Sequence, residues 1–170
     1  MTLTIPISRF RRLLFAVLQA IAPARASAAA HAQLSQLYDR WGTAVFRAAY
    51  AYLHNKSDAE DVLQDTFLQY MRTSPELESP AHEKAWLLRV AINRAKDVSG
   101  AFWRRNRISW ESYMDELEFV QPEDRSLFEA VMRLPEKYRI VIHLFYYEDY
   151  SVEEISAVLH RRSGTVKSQL

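Results

Sequence analysis

Apolar residues recur at spacings of three and four along most of the chain, which is the period of an α-helix. The spacing holds without a break from residue 34 to residue 52. The apolar positions of this first stretch are Leu34, Leu37, Tyr38, Trp41, Val45, Ala48, Ala49 and Tyr52. One side of the segment is therefore apolar and the other is polar, and the pattern predicts one amphipathic helix.

A second helix is predicted directly after residues 54–56, because Ser57 and Glu60 have the spacing of a capping box. The residues predicted to face inward are Val62, Leu63, Phe67, Tyr70 and Met71. The polar face consists of Asp58, Asp61, Gln64, Asp65 and Arg72. Acidic residues in a first turn complement the helix dipole, but Gln64 and Asp65 lie farther along the helix. We interpret this acidic strip as a docking surface for a basic partner.

A third helix is predicted within residues 85–107, after a proline-bounded loop at residues 73–80. Its apolar side comprises Leu87, Leu88, Ala91, Ile92, Ala95, Val98 and Phe102. The opposite side comprises Trp86, Arg89, Val90, Asn93, Lys96 and Asp97. The segment ends in a basic run with aromatic residues set into it, formed by Phe102, Trp103, Arg104, Arg105 and Arg107.

The composition of this third segment predicts a nucleic-acid partner. Cations neutralise phosphates, and flat aromatic rings stack on unpaired bases, so the partner is expected to be partly single-stranded. A competing interpretation is a surface helix on which Trp86 packs against a neighbour and the arginines are only solvated. The residues of this segment alone leave both interpretations open.

The last part of the chain, residues 124–170, predicts a second and smaller helical domain. One helix is indicated by Leu127, Phe128, Val131 and Leu134, and Pro135, favoured at a first helical position, opens the next. The apolar residues of that next helix are Tyr138, Val141, Ile142 and Phe145.

The acidic stretch before this domain lacks clean periodicity, and we interpret residues 111–123 as a linker or as a connector without a partner.

Two short helices end this smaller domain. Ser151 and Glu154 form a capping box before the apolar residues Ile155, Val158 and Leu159. A turn at residues 160–163 separates this first short helix from the second, which begins at Gly164. This arrangement is typical of a helix-turn-helix, whose second helix enters the major groove of DNA.

The N-terminal segment has no acidic residue before Asp39, and it carries arginines around an apolar run at residues 13–22. Three interpretations compete: a targeting peptide, a weak membrane-surface helix, and an extension upstream of the domain. The apolar run is shorter than the roughly 20 residues that span a bilayer. We favour an extension covering residues 1–33, since the rest of the chain indicates a role in the cytoplasm.

The length, net charge and composition of the chain agree with an all-α protein of two small helical domains joined by a linker. The 170 residues carry a net charge of +1 and include three glycines, six prolines and no cysteine. Few glycines and prolines argue against a turn-rich sheet protein, and the absence of cysteine excludes disulfides and thiolate chemistry.

Little in the sequence favours an enzyme. Asp58, Asp61 and Asp65 could share one helix face as metal ligands, but no Glu-x-x-His pair accompanies them. The five histidines are scattered along the chain and show no zinc-type spacing. We therefore expect no catalytic residue, no metal, no cofactor and no small-molecule substrate.

Four segments resemble, in the same order, the bacterial RNA polymerase sigma factors of the extracytoplasmic-function (ECF) group. SDAEDVLQDTF at residues 57–67 resembles the region-two helix that docks on the clamp helices of the largest polymerase subunit. AWLLRVAINRAKD at residues 85–97 resembles the segment that melts and reads the minus-ten promoter element. LPEKYRIVIHLFYYEDYSVEEISAVL and SGTVKSQL, at residues 134–159 and 163–170, resemble region four, which reads the minus-thirty-five element and touches the polymerase flap.

The resemblance implies region two at residues 34–110, an acidic linker at 111–123 that threads the polymerase RNA channel, and region four at 124–170. The implied polymerase-binding residues are Asp61, Gln64 and Asp65. The implied minus-ten residues are Trp86, Arg89, Asn93 and Lys96, with the loop at 73–80 holding a flipped base. The implied minus-thirty-five residues are Thr165, Lys167, Ser168 and Gln169.

The expected function is binding of core RNA polymerase, recognition and melting of promoter DNA, and transcription initiation in the cytoplasm under the control of an anti-sigma factor.

The sequence departs from the family at the turn, where His160 and Arg161 replace a glycine and an apolar residue, and at Gln169, which is usually arginine. A left-handed backbone would strain His160, and Arg161 removes an expected core contact. The family's recognition helix also continues beyond the equivalent of Leu170, so region four is expected to be truncated. The alternative is a degenerate sigma-like protein that binds polymerase or an anti-sigma factor without selecting promoters.

Overall fold

The computed structural model describes residues 28–102 and 125–170. These residues form helices and connecting turns without a strand, which confirms the all-α prediction. The helices are α1 (Ala28–Leu53), α2 (Lys56–Thr73), α3 (Pro80–Phe102), α4 (Arg125–Met132), α5 (Glu136–Tyr146), α6 (Val152–Leu159) and α7 (Ser163–Gln169). The predicted linker at residues 111–123, the basic run at residues 103–107 and most of the predicted extension, residues 1–27, lie outside the described residues.

Helices α1, α2 and α3 pack against one another around a shared apolar core. The predicted inner side of α3 is confirmed where the residues are fully buried, at Leu87, Leu88, Ala91, Ile92 and Ala95. Val98 is only partly buried, and the side chain of Phe102 lies outside the described ones. Val45 of α1 and Phe67 of α2 are also completely covered. Burial of a Leu, Ile, Val or Phe side chain contributes about 1.5–3 kcal/mol, so this three-way contact is the main source of stability for the bundle.

The predicted capping box of Ser57 and Glu60 is wrong. The N-cap of α2 is Asn55, whose side-chain oxygen accepts a hydrogen bond from the backbone N–H of Asp58 at 3.0 Å. The helix begins at Lys56, one residue before Ser57, because α1 ends abruptly at His54 in a left-handed conformation (φ 59°). Asn is among the strongest N-cap residues, and it stands at the position where the chain turns into α2.

The predicted loop between α2 and α3 is confirmed for residues 74–79. Ser74 takes a left-handed conformation (φ 39°), and its N–H donates to the Tyr70 carbonyl at 2.8 Å, which ends α2. At the other end, the Ser79 hydroxyl accepts from the His82 N–H at 3.2 Å, and Pro80 is the first residue of α3. Both features are typical of a helix start.

Helix α5 begins at Glu136, so Pro135 is its N-cap residue and not its first helical residue as predicted. The prediction of its inner side is only partly confirmed, because Val141 is buried while Tyr138, Ile142 and Phe145 are partly exposed. The fully buried positions Ile140, Val141 and Leu144 define the inner side instead. The helix is packed against neighbours on more than one side, and a single apolar stripe does not describe it.

The predicted capping box of α6 is confirmed. The Ser151 hydroxyl accepts from the Glu154 N–H at 3.3 Å, and the Glu154 carboxylate accepts from the Ser151 N–H at 2.8 Å. Ile155, Val158 and Leu159 are buried as predicted. These bonds satisfy backbone donors that a helix N-terminus otherwise leaves unpaired.

The helix-turn-helix is present as α6, a turn at residues 160–162, and α7. His160 ends α6 in a left-handed conformation, with φ 51° and ψ 46°, which strains any residue other than glycine. Arg161 does not enter a core, and its guanidinium donates to the Lys137 carbonyl at 3.2 Å and to the Gln169 side-chain oxygen at 2.9 Å. Val166 is buried and anchors α7.

Candidate nucleic-acid and polymerase interfaces

The outward side of α3 carries the polar residues that sequence reasoning assigned to DNA. Asn93 is exposed, and Lys96 is partly buried one turn later. The Lys96 ammonium donates to the Asn93 side-chain oxygen at 3.4 Å, so the two groups form one polar patch. Burial lowers the pKa of Lys96, and the positive charge of Arg161 lowers it further. The patch is therefore a cation and an amide held side by side above a fully apolar core.

An amide in this position suits base recognition, because its carbonyl accepts and its NH₂ donates, as paired contacts to a base edge require. Lys96 occupies part of the carbonyl's accepting capacity at 3.4 Å, a long and weak bond. A base or phosphate can replace this contact without breaking the helix.

Trp86 and Arg89 are less available than Asn93. Trp86 is partly buried and packs edge-on against Tyr70, with ring centroids 5.9 Å apart and planes at 77°. This contact is the packing that the competing interpretation of the sequence proposed. The Arg89 Nε atom is buried without a hydrogen-bond partner among the described residues. Both side chains thus belong partly to the bundle and partly to its surface.

The N-terminus of α3 is held on α1 by one carboxylate. Glu83 accepts hydrogen bonds from the Trp41 indole and from the Arg40 guanidinium, each at 3.1 Å. The adjacent Lys84 places its ammonium 5.8 Å from the centre of the Trp41 ring. These contacts orient the helix that carries Asn93, and sequence reasoning did not identify them because they join residues about forty positions apart.

The acidic strip of α2 lies where the sequence predicted it. Asp61 and Asp65 are exposed, and Gln64 is partly buried between them on the same side of the helix. The pKa of Asp58 is raised by partial burial and by the negative charge of Asp61. The strip is therefore a negatively charged surface to which a basic partner is complementary.

Helix α7, the second helix of the helix-turn-helix, exposes three of the four residues predicted to contact DNA. Thr165, Lys167 and Ser168 are exposed, and the Ser168 hydroxyl donates to the Thr165 carbonyl at 2.9 Å. Gln169 is partly buried and accepts from Arg161. The structure therefore joins Gln169 to the turn through Arg161, a contact that the sequence did not predict.

No group of three His, Asp or Glu side chains within residues 28–102 and 125–170 is arranged to hold a metal ion. Over the same ranges, none of the helices combines the length and apolar character needed to cross a bilayer.

Comparisons with known proteins identify the family of this chain. The sequence matches the family Sigma-70 region 2 over residues 37–108 and the family Sigma-70, region 4 over residues 124–170. It is 32% identical over 155 residues to the ECF RNA polymerase sigma factor SigL of Mycobacterium tuberculosis, covering 85% of this chain and 86% of that protein. It is 27% identical over 131 residues to the RNA polymerase sigma factor SigV of Bacillus subtilis, covering 74% of this chain and 76% of that protein.

Among solved structures, the fold is similar to that of the sigma factor RpoE from Bartonella quintana, determined in complex with the anti-sigma factor NepR. The TM-score is 0.57 at 22% sequence identity, covering 81% of this chain and 89% of RpoE. At this identity the likeness concerns the fold alone.

A region 2 match followed by a region 4 match, on described residues that are helical, defines the class of protein. The chain belongs to the sigma-70 family of RNA polymerase sigma factors. Within this family it is a member of the ECF group, to which the SigL relative belongs.

Proposed function

We propose that this chain binds core RNA polymerase and directs it to promoters, where it recognises the DNA, melts the minus-ten element and starts transcription. The observation that carries the proposal is the outward side of α3, where exposed Asn93 and partly buried Lys96 lie above a fully buried apolar face. A rigid helix that presents an amide and a cation offers base contacts and phosphate neutralisation from one surface.

The minus-ten surface consists of Asn93 and Lys96, with Arg89 and Trp86 at its edge. Extrusion of a base from the duplex costs a few kcal/mol, and contacts to the open strand offset part of that cost. Asn93 is the residue that we assign to base contact, because it is the exposed amide of this surface. Lys96 and Arg89 supply charge for the phosphates.

The polymerase-binding surface is the acidic strip of Asp61, Gln64 and Asp65. Its charge is opposite to that of the minus-ten surface, and it lies on α2 while the DNA residues lie on α3. A protein partner and a DNA partner can therefore be bound by different helices of one bundle.

The minus-thirty-five surface consists of the exposed residues Thr165, Lys167 and Ser168, with Gln169 bound to Arg161. Hydroxyl groups and a lysine suit phosphate and groove contacts. The buried Val166 sets which side of α7 faces outward.

The proposal is tested by run-off transcription with purified core polymerase over a promoter library. We expect initiation at a defined subset of promoters, and we expect Asn93→Ala to reduce it at those promoters. Absence of any promoter-specific initiation, despite stable core binding, would contradict the proposal.

A second candidate function is a sigma-like interaction protein that binds polymerase or an anti-sigma factor without promoter selection. The observation that favours it is the Gln169 side chain, which is bound by Arg161 at 2.9 Å within the turn. Stable core binding without promoter-specific transcription is the outcome that distinguishes this candidate from the first.

We also infer an anti-sigma partner, in keeping with the fold relative RpoE, which was solved with an anti-sigma factor. A cytoplasmic location stays a prediction. Neither function requires a catalytic residue, a cofactor or a small-molecule substrate. The region boundaries at residues 34–110 and 124–170, with the linker at 111–123, stay predictions.

A further inference from the structure

Two tyrosines at the end of α5 expose large aromatic rings to solvent. Tyr146 is 68% exposed and Tyr147 is 42% exposed. The Tyr146 ring meets Phe145 edge-on, with centroids 5.0 Å apart, and the Tyr147 ring stacks on the buried His143 at 5.5 Å. Contiguous exposed apolar surface marks an interaction site, whereas single exposed apolar residues are ordinary.

Acidic side chains follow this aromatic pair along the chain. Asp149 lies in the short turn between α5 and α6, and Glu153 lies in the first turn of α6. Both are exposed. We call Tyr146, Tyr147, Asp149 and Glu153 the aromatic-acidic patch. Such a surface suits arginine, because the guanidinium both stacks on aromatic rings and pairs with carboxylates.

The patch lies beside the middle of α1. Lys84 connects the two, because its ammonium donates to the Glu148 carbonyl at 3.2 Å and lies 5.8 Å from the centre of the Trp41 ring. Glu148 directly follows Tyr147, and Trp41 stands thirteen positions after Ala28, the first residue of α1. Thirteen positions measure about 20 Å along a helix. The patch is therefore about one half-length of α1 away from the point where the N-terminal segment joins it.

The N-terminal segment, residues 1–27, lies outside the described residues and has the complementary chemistry. Its only charged side chains are those of Arg9, Arg11, Arg12 and Arg25. Its apolar run at residues 13–22 directly follows three of these arginines. Six positions separate Ala22 from Ala28, and an extended chain covers up to about 20 Å in that length. The apolar run therefore reaches the patch when the segment folds back along α1.

The other segment outside the described residues, 103–124, is a poorer occupant. It joins α3 to α4, and both helices are held at the C-terminal end of α1. Arg139 donates to the Tyr52 carbonyl at 3.0 Å and to the Met132 carbonyl at the end of α4 at 2.7 Å. Ser99, near the end of α3, donates to the first turn of α5 at 3.3 Å. The segment also has six acidic and three basic side chains, so its net charge has the same sign as that of the patch.

We propose that residues 1–27 fold back along α1 and dock on the aromatic-acidic patch, with the apolar run against Tyr146 and Tyr147 and the arginines facing Asp149 and Glu153. The docking is intramolecular, so a weak contact is populated at the roughly millimolar effective concentration that a short linker provides. The docked segment covers the exposed aromatic pair. The N-terminal extension thereby gains a role in the folded protein that does not depend on the proposed function.

The docking is tested by spin-label distance measurement on the full chain. The sequence has no cysteine, so Gln19→Cys in the apolar run and Ala157→Cys, exposed in α6, carry the only two labels. We expect one narrow distance from chains whose segment is docked and a broad distribution from chains whose segment is free. The areas of the two components give the ratio of docked to free segment.

Two variants remove parts of the patch. Tyr146→Ser should lower the ratio of docked to free segment about threefold to tenfold, the size expected for loss of one aromatic contact. Asp149→Asn keeps a residue that tolerates the left-handed backbone at this position (φ 58°), and it should lower the ratio about twofold at low salt. The matched controls are Leu170→Ser, 43% exposed at the end of α7, and Asp97→Asn, exposed on α3. Far-ultraviolet circular dichroism confirms that each variant is folded.

Three outcomes of this experiment would overturn the docking. They are a broad distribution alone in the parent protein, a ratio that neither patch variant changes, and equal losses in the patch variants and their controls. A narrow distance that is lost when each chain carries only one label, in a mixture of the two singly labelled proteins, supports docking within one chain. The same narrow distance in that mixture would assign the patch to a second copy, and the proposal would be wrong.

Vesicles of phosphatidylcholine and phosphatidylglycerol test the interpretation of the segment as a membrane-surface helix. If the narrow distance is present without vesicles and the patch variants weaken it, the segment docks on the protein as proposed. If the distribution is broad without vesicles and the segment binds them equally in the parent protein and in Tyr146→Ser, its partner is the lipid surface. The patch is then not its binding site, and the proposal fails.

Discussion

His54 ends α1 in a left-handed conformation, and its ring packs edge-on against Tyr50 with centroids 6.0 Å apart. Burial lowers the pKa of His54 from 6.5 to about 4, and the nearby positive charge of Arg139 acts in the same direction. The folded state therefore favours the neutral imidazole. This single residue links the stability of the α1 terminus to pH.

The stability contribution of His54 is fully present above pH 6.5 and is lost progressively as the pH falls toward 4, because the unfolded chain binds the proton first. Between about pH 7 and pH 5, we expect the free energy of unfolding to fall by about 1–2 kcal/mol, allowing for partial exposure. Urea unfolding at the two pH values measures this difference. The substitution His54→Asn keeps a residue that tolerates the left-handed backbone. It should lower the free energy of unfolding at neutral pH but make that free energy depend less on pH. An unchanged slope would contradict the assignment.

Asn93 is the residue that we expect to separate DNA melting from polymerase binding. Asn93→Ala should reduce open-complex formation about tenfold to hundredfold, since a paired base contact contributes about 1–3 kcal/mol. Core binding should be unchanged. Permanganate reactivity of the melted strand and co-elution with core polymerase measure the two quantities. Asp97→Ala, exposed one turn later on the same helix, is the control, and equal losses in melting and core binding would indicate misfolding or another role.

The capping box is expected to stabilise α6, against which α7 packs. Helix α6 has eight residues, and isolated helices of this length are marginal. Ser151→Ala removes the hydroxyl that accepts from Glu154 and should cost about 1 kcal/mol. Ser168→Ala is the control, because its hydroxyl bonds only within α7. Urea unfolding measures the free energy of unfolding of both variants. Equal losses of stability in Ser151→Ala and Ser168→Ala would argue against a specific capping contribution.

Helix α2 is expected to bind polymerase through its acidic strip. The double substitution Asp61→Lys with Asp65→Lys should weaken core binding by at least tenfold, because charge reversal replaces attraction with repulsion. A double reversal at the exposed residues Asp39 and Glu76 changes net charge equally at other positions. If fluorescence anisotropy shows the same core affinity for both double variants, the docking surface lies elsewhere.

The positions of these helices could be predicted because the signals are local. The apolar period of α3 requires that Leu87, Leu88 and Ile92 face one side, and all three are fully buried. The N-cap of α2 could not be predicted in the same way. Asn55 and Ser57 are both suitable caps, and the end of α1 at His54 decides between them.

At the scale of the whole molecule, DNA binding depends on local charge, since the net charge is only +1. The affinity of the polymerase complex for promoter DNA should fall steeply with salt, as phosphate contacts release counterions. Lys96→Gln should reduce the slope of the logarithm of affinity against the logarithm of salt concentration by about one. Filter binding across a salt series measures the slope. A flat response in the parent protein would argue against the phosphate contacts.

The local sequence determined the all-α class, the apolar face of α3 and the capping box of α6. It also determined family membership, because four motifs in order are a specific combination. Each of these depends on residues within a few positions of one another, where helical period and side-chain chemistry act directly.

Only the tertiary structure decided which surfaces are shared between the two regions. Arg139 lies about ninety positions from its partners on α1, and in the sequence it is one charged residue within a helix. Trp86 packs on Tyr70, and Gln169 is bound by Arg161. These pairs are likewise brought together only by the packing of helices and turns. Contacts between distant residues depend on how whole helices pack, and no periodic pattern along the chain records that packing.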